Sequence, residues 1–390
     1  MAGADAGKAQ DLPRLRLTQL KLFHFRNWGV HALKLDGRHV VLTGENGAGK
    51  TNLMEAVSLL SPGRGLRRAS YGDMLQASTA NGFAIHADLE TPNGPFEIGT
   101  AVAAPNSEET GAQRRISING APAKTADALL EVLRVVWLTP AMDGLFTGTA
   151  GDRRRFLDRM VLAIDPAHGR RAADYEKALR GRNRLLAEDR PDPRWLDAVE
   201  AQIAELGIAI AAARDEVVQL LAAMIGRAGD TGPFPAADIA ILRPAEEADP
   251  DGAAVEREER LRHALREGRT RDRMAGRTLC GPHRHDLSIR HRQKAMDAAM
   301  CSTGEQKALL IGLVLAHARL TGELSGLPPL LLLDEIAAHL DAGRRAALFD
   351  LVCSLGGQCF MTGTDRDLFA ALGGRAQYFT VSAGTATETM

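Results

Sequence analysis

The sequence predicts an α/β protein in which both ends of the chain build one domain around an inserted, mainly helical lobe. Residues 1–150 hold strand patterns and Gly-rich turns, residues 151–275 hold helical patterns, and residues 276–390 return to alternating strands and helices. A chain of 390 residues is long enough for two or three domains with a large core. The β/α pattern at both ends therefore indicates a single domain that the middle segment interrupts.

The first part of the chain is rich in β-strand signals. Apolar and polar residues alternate in RLTQLKLFHF, and HVVLT at 39–43 leads directly into a Gly-rich loop. Asn-Gly pairs at 93 and 119 lie between extended segments, and such pairs favour the tight turns of β-hairpins. We therefore predict a β-rich region that contains one helix at 51–60.

The middle of the chain carries the apolar seam of a long helix. From Val199 to Met224, apolar residues recur at spacings that alternate between four and three, a pattern typical of a packed helix. A link rich in Pro and acidic residues, RPAEEADPDG, separates this seam from a second helical pattern at about 253–273. A helix that returns so soon makes a compact lobe, so we predict no long coiled-coil arm.

The segment GENGAGKT, from Gly44 to Thr51, fits the phosphate-binding pattern G-x-x-x-x-G-K-[ST]. A predicted strand precedes it and a predicted helix follows, which is the context that this loop requires. Backbone N–H groups wrap the phosphates, Lys50 is expected to reach the β- and γ-phosphates, and the Thr51 hydroxyl to ligate Mg²⁺. The predicted nucleotide-binding residues are Gly44, Glu45, Asn46, Gly47, Ala48, Gly49, Lys50, Thr51 and Asn52.

Two further motifs carry polar residues that suit phosphate chemistry. In PLLLLDEIAAHLD a buried strand ends in Asp334, suited to the outer shell of Mg²⁺, and Glu335, suited to deprotonate an attacking water. In CSTGEQK, Ser302 and Glu305 fit a capping box that opens an apolar helix. Simple acidic strand ends and simple caps are the alternatives, but a cap explains neither Gly304 nor the glutamine that follows.

Together these motifs resemble the RecF family of ABC-type ATPases, which is related to the heads of Rad50 and SMC proteins. The segments LKLFHFRNW, GDRRRFLDR and LCGPHRHDL extend the resemblance over nearly the whole chain. It implies an ABC-type P-loop ATPase domain, formed from both chain ends, that binds ATP and Mg²⁺. It also implies that a signature turn contacts the γ-phosphate held by a second copy, so that ATP joins a homodimer and hydrolysis releases it. The signature residues are Ser302, Gly304, Glu305 and Gln306.

The resemblance further implies binding of double-stranded DNA near single-strand gaps and duplex/single-strand junctions, with RecR and RecO helping to load RecA. A weak, DNA-stimulated ATPase that acts as a switch in the cytoplasm is expected. Asp341 falls in the loop that would cross the dimer, and Thr364 at the terminal switch position. The segment LTPAMDGLF offers no glutamine to bridge Mg²⁺ and the attacking water. Candidate DNA contacts are Arg64, Arg67, Arg68, Arg153 and Arg154, although solvated or internally paired arginines would give the same pattern.

Composition limits the function classes only weakly. The net charge of −1 favours no polyanionic partner, although 40 of the 48 basic residues are Arg, which suits phosphate contacts. No uninterrupted apolar run reaches the roughly 18–20 residues of a membrane span. The cysteines show no metal-type pairing and are expected to be reduced thiols; they are Cys280, Cys301, Cys353 and Cys359.

Three other protein classes carry the same loop. In a transporter ATPase the signature follows the phosphate loop at a much shorter distance than the roughly 250 residues found here, and the helical insertion is missing. A structural SMC or Rad50 head needs hundreds of heptad residues. A small-molecule kinase has no use for Ser302 or Gln306. The sequence therefore favours the RecF-like interpretation.

Overall fold

A computed structural model gives the fold of the protein. The described residues are 15–77, 82–103, 113–229, 232–244 and 252–389. They form two compact units, the first from Met1–Pro140 with Ala318–Met390 and the second from Ala141–His317. The first unit is therefore built from both chain ends, as predicted. The N-terminal dozen residues, for which the sequence predicts a frayed start, lie outside the described residues.

The elements fall in the following chain order. The strands are β1 (Arg16–Phe25), β2 (Trp28–Lys34), β3 (His39–Thr43), β4 (Phe83–Thr91), β5 (Gly94–Val102), β6 (Arg114–Ile118), β7 (Ala121–Pro122), β8 (Val135–Leu138), β9 (Ala237–Leu242), β10 (Asp286–His291), β11 (Met296–Asp297), β12 (Leu330–Leu333), β13 (Cys359–Thr362), β14 (Ala376–Ser382) and β15 (Thr385–Glu388). The helices are α1 (Lys50–Ser58), α2 (Ala150–Ile164), α3 (His168–Ala187), α4 (Pro193–Ala228), α5 (Ala254–Glu267), α6 (Arg269–Ala275), α7 (Thr303–Ser325) and α8 (Ala342–Ser354).

A mostly parallel sheet of the first unit carries the phosphate loop at the end of β3. Its strand order is β15-β14-β3-β13-β12-β8, with β15 antiparallel to β14. Every residue of β12 and β13 is buried, the continuous apolar pattern of strands covered on both faces. Because β3 lies between β13 and β14, the strand before the loop is held by two strands from the other end of the chain.

The second sheet of this unit is antiparallel, with the order β2-β1-β4-β5-β6-β7. Both predicted hairpins form there, joining β4 to β5 and β6 to β7. In the second, Asn119 and Gly120 have φ values of 49° and 76°, which suits a turn whose two central residues are left-handed. The two sheets and α1 share one core, in which Trp28, Phe25 and Leu53 are fully buried.

The second unit consists of α2 to α6, the signature region and a three-stranded sheet in the order β11-β10-β9. The predicted long helix is α4, which runs for 36 residues from Pro193 after the N-cap Asp192. The predicted return helix is divided into α5 and α6. Strand β9 is an addition to the mainly helical middle segment that the sequence predicts, and its residues ADIAIL pair in antiparallel register with β10. These six residues, two of them alanines, gave too weak a pattern to indicate a strand.

The units divide the chain at 140 and 317, whereas the sequence analysis placed the limits at 150 and 275. Residues 276–317 join the second unit because β10 pairs with β9 there. Helix α7 runs across the later limit, since His317 and Ala318 are consecutive residues within it. This helix is long and apolar enough to span a membrane by composition alone, but most of it is buried, as in the core helix of a soluble protein.

A buried cluster of ionic groups holds the helices of the second unit together. The Arg182 side chain is 0% exposed, and its Nε donates to Glu200 Oε1 at 2.9 Å. Its Nη1 donates to Asp272 Oδ2 at 2.7 Å, and its Nη2 donates to the Leu265 carbonyl at 2.6 Å. One guanidinium thereby joins α3, α4, α5 and α6. Such a cluster is stable only while each charge has its partner.

Candidate functional site

The phosphate loop is shaped by glycines that no other residue could replace. Gly44 has φ 140° and Gly49 has φ 116°, backbone conformations that L side chains rarely adopt. A Cβ on Gly44 would lie 2.3 Å from the Val381 carbonyl oxygen, and one on Gly49 would lie 2.5 Å from Asn27 Nδ2. The loop backbone is therefore packed directly against β14 and the β1–β2 hairpin.

The β1–β2 hairpin fixes the loop through its carbonyl groups. Asn27 Nδ2 donates to the Ala48 carbonyl at 3.0 Å, and the Trp28 indole donates to the Gly49 carbonyl at 3.2 Å. Asn52 Nδ2 donates in turn to Asn27 Oδ1 at 2.7 Å. In the sequence these hairpin residues indicate only a family resemblance, whereas in the structure they hold the loop in place.

Lys50 lies over its own loop. Its Nζ donates to the Gly44 carbonyl at 2.6 Å and to the Glu45 carbonyl at 2.8 Å. Burial lowers the pKa of Lys50, while the carboxylates of Glu335 and Asp334 oppose that shift. The structure therefore brings the predicted phosphate-binding lysine and the two predicted acidic residues into one electrostatic environment.

Asp334 is hydrogen-bonded to two threonine hydroxyls. Its Oδ1 accepts from the Thr51 hydroxyl at 3.1 Å and from the Thr362 hydroxyl at 2.7 Å. Burial raises the pKa of Asp334 even though both hydroxyls act in the opposite direction. A hydroxyl beside a carboxylate is a donor set that fits Mg²⁺, which takes few protein ligands and completes its shell with water and phosphate oxygens. Within the described residues, no group of three or more His, Cys, Asp or Glu side chains is placed to hold a metal ion.

Glu335 occupies a strained backbone position. Its φ of 52° and ψ of 28° are left-handed, which costs a residue with a side chain on the order of 1–2 kcal/mol. Its N–H donates to the Thr362 hydroxyl at 2.8 Å, so the strained residue is held from the neighbouring strand. Thr362 is a site residue that the sequence analysis missed. The predicted switch residue Thr364 is two positions further on and exposed.

The signature turn forms the predicted capping box. Ser302 N–H donates to Glu305 Oε2 at 3.0 Å, and Glu305 N–H donates to Ser302 Oγ at 3.4 Å. The ammonium group of Lys294, together with these bonds, lowers the pKa of Glu305 to about 2. Ser302, Thr303 and Gly304 are exposed, so this part of the turn is accessible to a ligand.

Gln306 does not present its amide on that surface. The side chain is buried, and its Nε2 donates to the carbonyls of Ala299 at 3.2 Å and Cys301 at 3.0 Å. The Gln306 amide therefore supports the backbone before the turn, and a contact of Gln306 with phosphate stays a prediction. Asp341, in contrast, is accessible: its side chain is 67% exposed, and its Oδ1 caps α8 by accepting from the Arg344 N–H at 2.9 Å.

The arginines predicted to contact DNA divide into two groups. Arg64, Arg67 and Arg68 are exposed in the segment after α1. Arg67 is also tied to α1, since its Nη1 donates to Asn52 Oδ1 at 2.6 Å and lies 3.5 Å from a Glu55 carboxylate oxygen. Arg26 binds the same buried Glu55 at 2.8 Å.

Arg153 and Arg154 are paired inside the second unit, which is the alternative to DNA contact that the sequence left open. Arg153 forms a two-point contact with Asp286, with Nε–Oδ1 at 2.8 Å and Nη2–Oδ2 at 2.7 Å. Its Nη1 also donates to the Phe146 and Gly148 carbonyls. Arg154 donates to the His285 carbonyl at 2.7 Å, and burial lowers its pKa. Both side chains therefore stabilise the fold.

A further residue supports α1 from its far end. Arg114, on β6, donates through Nη1 to the carbonyls of Ser61 at 3.1 Å and Gly63 at 3.0 Å, and through Nη2 to the Leu59 carbonyl. Its Nε donates to Thr100 Oγ1 at 2.7 Å. A cation is stabilised at the carboxyl end of a helix by the exposed carbonyls there. Arg114 thus joins the antiparallel sheet to the helix that starts at the phosphate loop.

Sequence comparisons decide the family. The family model described as RecF/RecN/SMC N terminal domain matches residues 16–386. The DNA replication and repair protein RecF of Mesorhizobium japonicum is 61% identical over 373 residues, 96% of this chain and 98% of that protein. The chain belongs to the RecF family. The RecF protein of Brucella suis biovar 1 is also 61% identical, over 375 residues that cover 96% of each protein.

Solved structures show the same fold. The recombination mediator protein RecF with ATP, from the RecFOR pathway, superposes with a TM-score of 0.83 at 23% identity, covering 97% of this chain and 98% of that one. An Smc head domain from Pyrococcus furiosus gives a TM-score of 0.53 at 15% identity, covering 96% of both chains. The predicted fold class, an ABC-type ATPase head with a helical insertion, is therefore confirmed for this RecF family member.

Proposed function

We propose that this protein is an ATP-dependent DNA-binding protein of replication and recombinational repair. It binds duplex DNA near single-strand gaps as an ATP-induced dimer, works in the cytoplasm, and with RecR and RecO helps to load RecA. The observation that carries the proposal is the convergence of Thr51, Asp334 and Glu335 beside Lys50. The names of the full-length relatives, which describe DNA replication and repair proteins, support the same biological setting.

The nucleotide site supplies both binding and hydrolysis. The residues Gly44 to Asn52 would hold the triphosphate, and Thr51 with Asp334 would hold Mg²⁺, whose positive charge would stabilise the phosphate oxygens. Glu335 removes a proton from the attacking water and so acts as the general base. Its left-handed backbone, fixed by Thr362, sets the direction of the carboxylate. The protein contributes positioning and charge, as is usual in phosphoryl transfer.

The dimer is formed through the exposed signature turn. Ser302, Gly304 and the free N–H groups at the start of α7 bind the γ-phosphate that a second copy holds. Glu305 supports the turn through its capping bonds, and the exposed Asp341 faces the partner. Thr364 is proposed as the switch beyond the γ-phosphate. Loss of that phosphate removes the shared ligand, so hydrolysis separates the two copies.

DNA is bound through its phosphates by a cationic strip after α1, which contains Arg64, Arg67 and Arg68. Arginine suits this role because its planar fork matches phosphate oxygens. Binding of this kind releases counterions from DNA, so affinity falls steeply as salt rises. A DNA affinity that does not change between 50 and 200 mM salt would exclude this strip as the contact.

Sedimentation of the purified protein with and without ATP tests the central claim. We expect wild type to dimerise with ATP, Glu335→Gln to form a long-lived dimer because ATP is retained, and Ser302→Arg to remain monomeric. Ser302 is exposed, and the arginine variant loses only the cap that the Ser302 hydroxyl gives α7, a cost of about 1 kcal/mol that circular dichroism can check. A Ser302→Arg variant that dimerises normally would refute the trans contact, and rapid turnover in Glu335→Gln would remove Glu335 as the base.

A further inference from the structure

A cavity of about 280 Å³ lies at the edge of the parallel sheet opposite the phosphate loop. Its lining includes His39, the first residue of β3, together with Gln358 and Arg375, which directly precede β13 and β14. The amino ends of three parallel strands therefore meet there, within the first unit. The phosphate loop follows the carboxyl end of β3, so this cavity is separate from the nucleotide site.

Three arginines from separate segments line the cavity, and their charges are not fully balanced. Arg38 pairs with Asp36, since its Nη2 lies 2.6 Å from Oδ2, and Arg375 Nη1 donates to Asp350 Oδ1 at 2.8 Å. The Arg16 guanidinium, in contrast, has no hydrogen bond or ion pair among the residues that the structure describes. Three guanidinium groups therefore face two carboxylates, and Arg16 supplies the excess positive charge.

The walls that carry these arginines are built in advance of any ligand. Gly37 has φ 84°, and a Cβ there would lie 2.7 Å from Arg16 Cδ, so the glycine leaves the space in which the Arg16 stem lies. The Gln358 side chain, only 3% exposed, accepts the Leu17 N–H at 2.8 Å and donates to the Arg38 carbonyl at 2.9 Å. It joins the start of β1 to the segment before β3. Preorganised walls reduce the entropy that a ligand loses on binding.

The cavity also contains a thiol beside an imidazole. His39 Nδ1 accepts the Cys359 N–H at 3.2 Å, so the neutral ring carries its proton on Nε2. That nitrogen lies 3.3 Å from Cys353 Sγ and donates to the sulfur. Cys353 is partly exposed on the cavity wall, so its reaction with a small reagent reports whether the cavity is occupied.

We propose that this cavity binds a small phosphate-bearing anion, with Arg16 as its principal contact. A guanidinium matches the oxygens of phosphate, and a tetrahedral phosphate presents oxygens to cationic groups on more than one side, whereas a carboxylate presents only two. A water molecule takes about 30 Å³, so the volume leaves room for an organic group esterified to the phosphate. The site goes beyond the proposed function, since neither ATP nor DNA is needed to fill it.

Alkylation of Cys353 by iodoacetamide, followed by mass spectrometry of its peptide, tests the site with inorganic phosphate as the probe. Burial raises the pKa of the Cys353 thiol, so the reaction is run at about pH 8.5, and sodium chloride holds the ionic strength constant. We expect phosphate to slow the alkylation of wild type. Arg16→Gln should need about tenfold more phosphate for the same protection, because it loses a charged hydrogen-bond donor.

The matched control is Arg115→Gln on β6, an exposed arginine outside the cavity, whose protection by phosphate should equal that of wild type. Gly37→Ala gives a second variant, which displaces the Arg16 stem without removing a charge and should also weaken protection. Succinate, a dicarboxylate, should protect much less than phosphate. Equal protection by succinate would overturn the phosphate assignment.

Urea unfolding provides a readout that does not depend on the thiol, because an anion that binds the folded protein stabilises it. Phosphate should stabilise wild type and Arg115→Gln more than Arg16→Gln, and the comparison cancels any phosphate bound at the phosphate loop. Equal stabilisation of all three proteins would overturn the site. Arg16→Gln should bind ATP as wild type does, so a failure of this inference leaves the proposed function standing.

Discussion

The Thr362 hydroxyl donates to Asp334 Oδ1 at 2.7 Å, and the Thr362 hydroxyl oxygen accepts a hydrogen bond from the Glu335 N–H at 2.8 Å. A single buried side chain on β13 thus contacts both acidic residues at the end of β12. The Thr362 hydroxyl therefore orients the Asp334 carboxylate and also holds the left-handed backbone of Glu335 in place. The precision of the acidic pair therefore depends on the strand beside it.

Thr362→Val should separate hydrolysis from nucleotide binding. The substitution keeps the shape of the side chain but leaves the Glu335 N–H without its acceptor, which costs about 1–3 kcal/mol for a buried group. We expect single-turnover ATP hydrolysis to fall at least tenfold while ATP affinity changes little. The matched control is Thr380→Val, which changes an exposed threonine on β14 outside the nucleotide site. Equal hydrolysis in Thr362→Val and wild type would show that Glu335 needs no such support.

Arg114→Met should disturb the phosphate loop from a distance. The change removes the donor to three carbonyls at the end of α1, and we expect a loss of about 3 kcal/mol in unfolding free energy together with weaker ATP binding. Urea unfolding and ATP titration measure the two effects. Arg115→Met, at the exposed neighbouring position, is the control. Arg114→Lys should recover part of the ATP affinity, since one cation returns; no recovery would mean that packing alone is involved.

Arg182→Met should destabilise the second unit strongly. It removes the ion pair of the buried Asp272 carboxylate and leaves Glu200 with Arg269 alone, and breaking a buried ionic cluster costs about 3–5 kcal/mol. Arg180→Met is the matched control on the same helix, because Arg180 is 68% exposed and its pair with Glu176 contributes about 0–1 kcal/mol. Chemical unfolding would contradict this account if the two variants had the same stability.

Stability should fall between pH 6.5 and pH 4 because burial lowers the pKa of both His39 and His317 to about 4, and His39 is the one whose contribution can be tested by a conservative substitution. Burial lowers the pKa of His39 to about 4, and its Nδ1 accepts the Cys359 N–H, so the folded state holds the neutral ring. The unfolded chain takes up a proton near pH 6.5 and the folded chain does not, so unfolding becomes easier as the pH drops through this range. The shift corresponds to about 3 kcal/mol.

Urea unfolding at a series of pH values measures the slope of the free energy of unfolding against pH. His39→Gln, which keeps an acceptor for the Cys359 N–H, should flatten it. His263→Gln is the control, because His263 is exposed on α5. An unchanged slope in His39→Gln would show that other groups cause the acid sensitivity.

The parts of the fold that local pattern determines were predictable. The phosphate loop, the strand at 39–43, both Asn-Gly hairpins and the long helix carry their signals within a few residues, and each forms where predicted. The contacts of Thr362 were not predictable in the same way. They depend on which strand lies beside β12, and strand order is set by tertiary packing rather than by any local sequence signal.

The hydrogen-bond and ion-pair partners of the arginine side chains were also not predictable from the sequence. The sequence shows a run of arginines at 153–155 but not that Asp286, far along the chain, would bind Arg153. A charge run is the same in sequence whether its partner is DNA, solvent or a buried carboxylate. Arg114 was missed for a related reason, since an arginine on a strand gives no sign that it will reach three carbonyls of a distant helix.

The strand before the phosphate loop has its two neighbours more than 300 residues away, at the other end of the chain. A ribosome that adds about 5–20 residues per second makes those neighbours roughly 15–60 s later. Until then Val40, Val41 and Leu42 have no sheet to enter, and exposed apolar segments of nascent chains invite chaperone binding. The ATPase centre is therefore among the last parts of the molecule to mature during biosynthesis, so a ribosome that stalls late releases a product with no catalytic site.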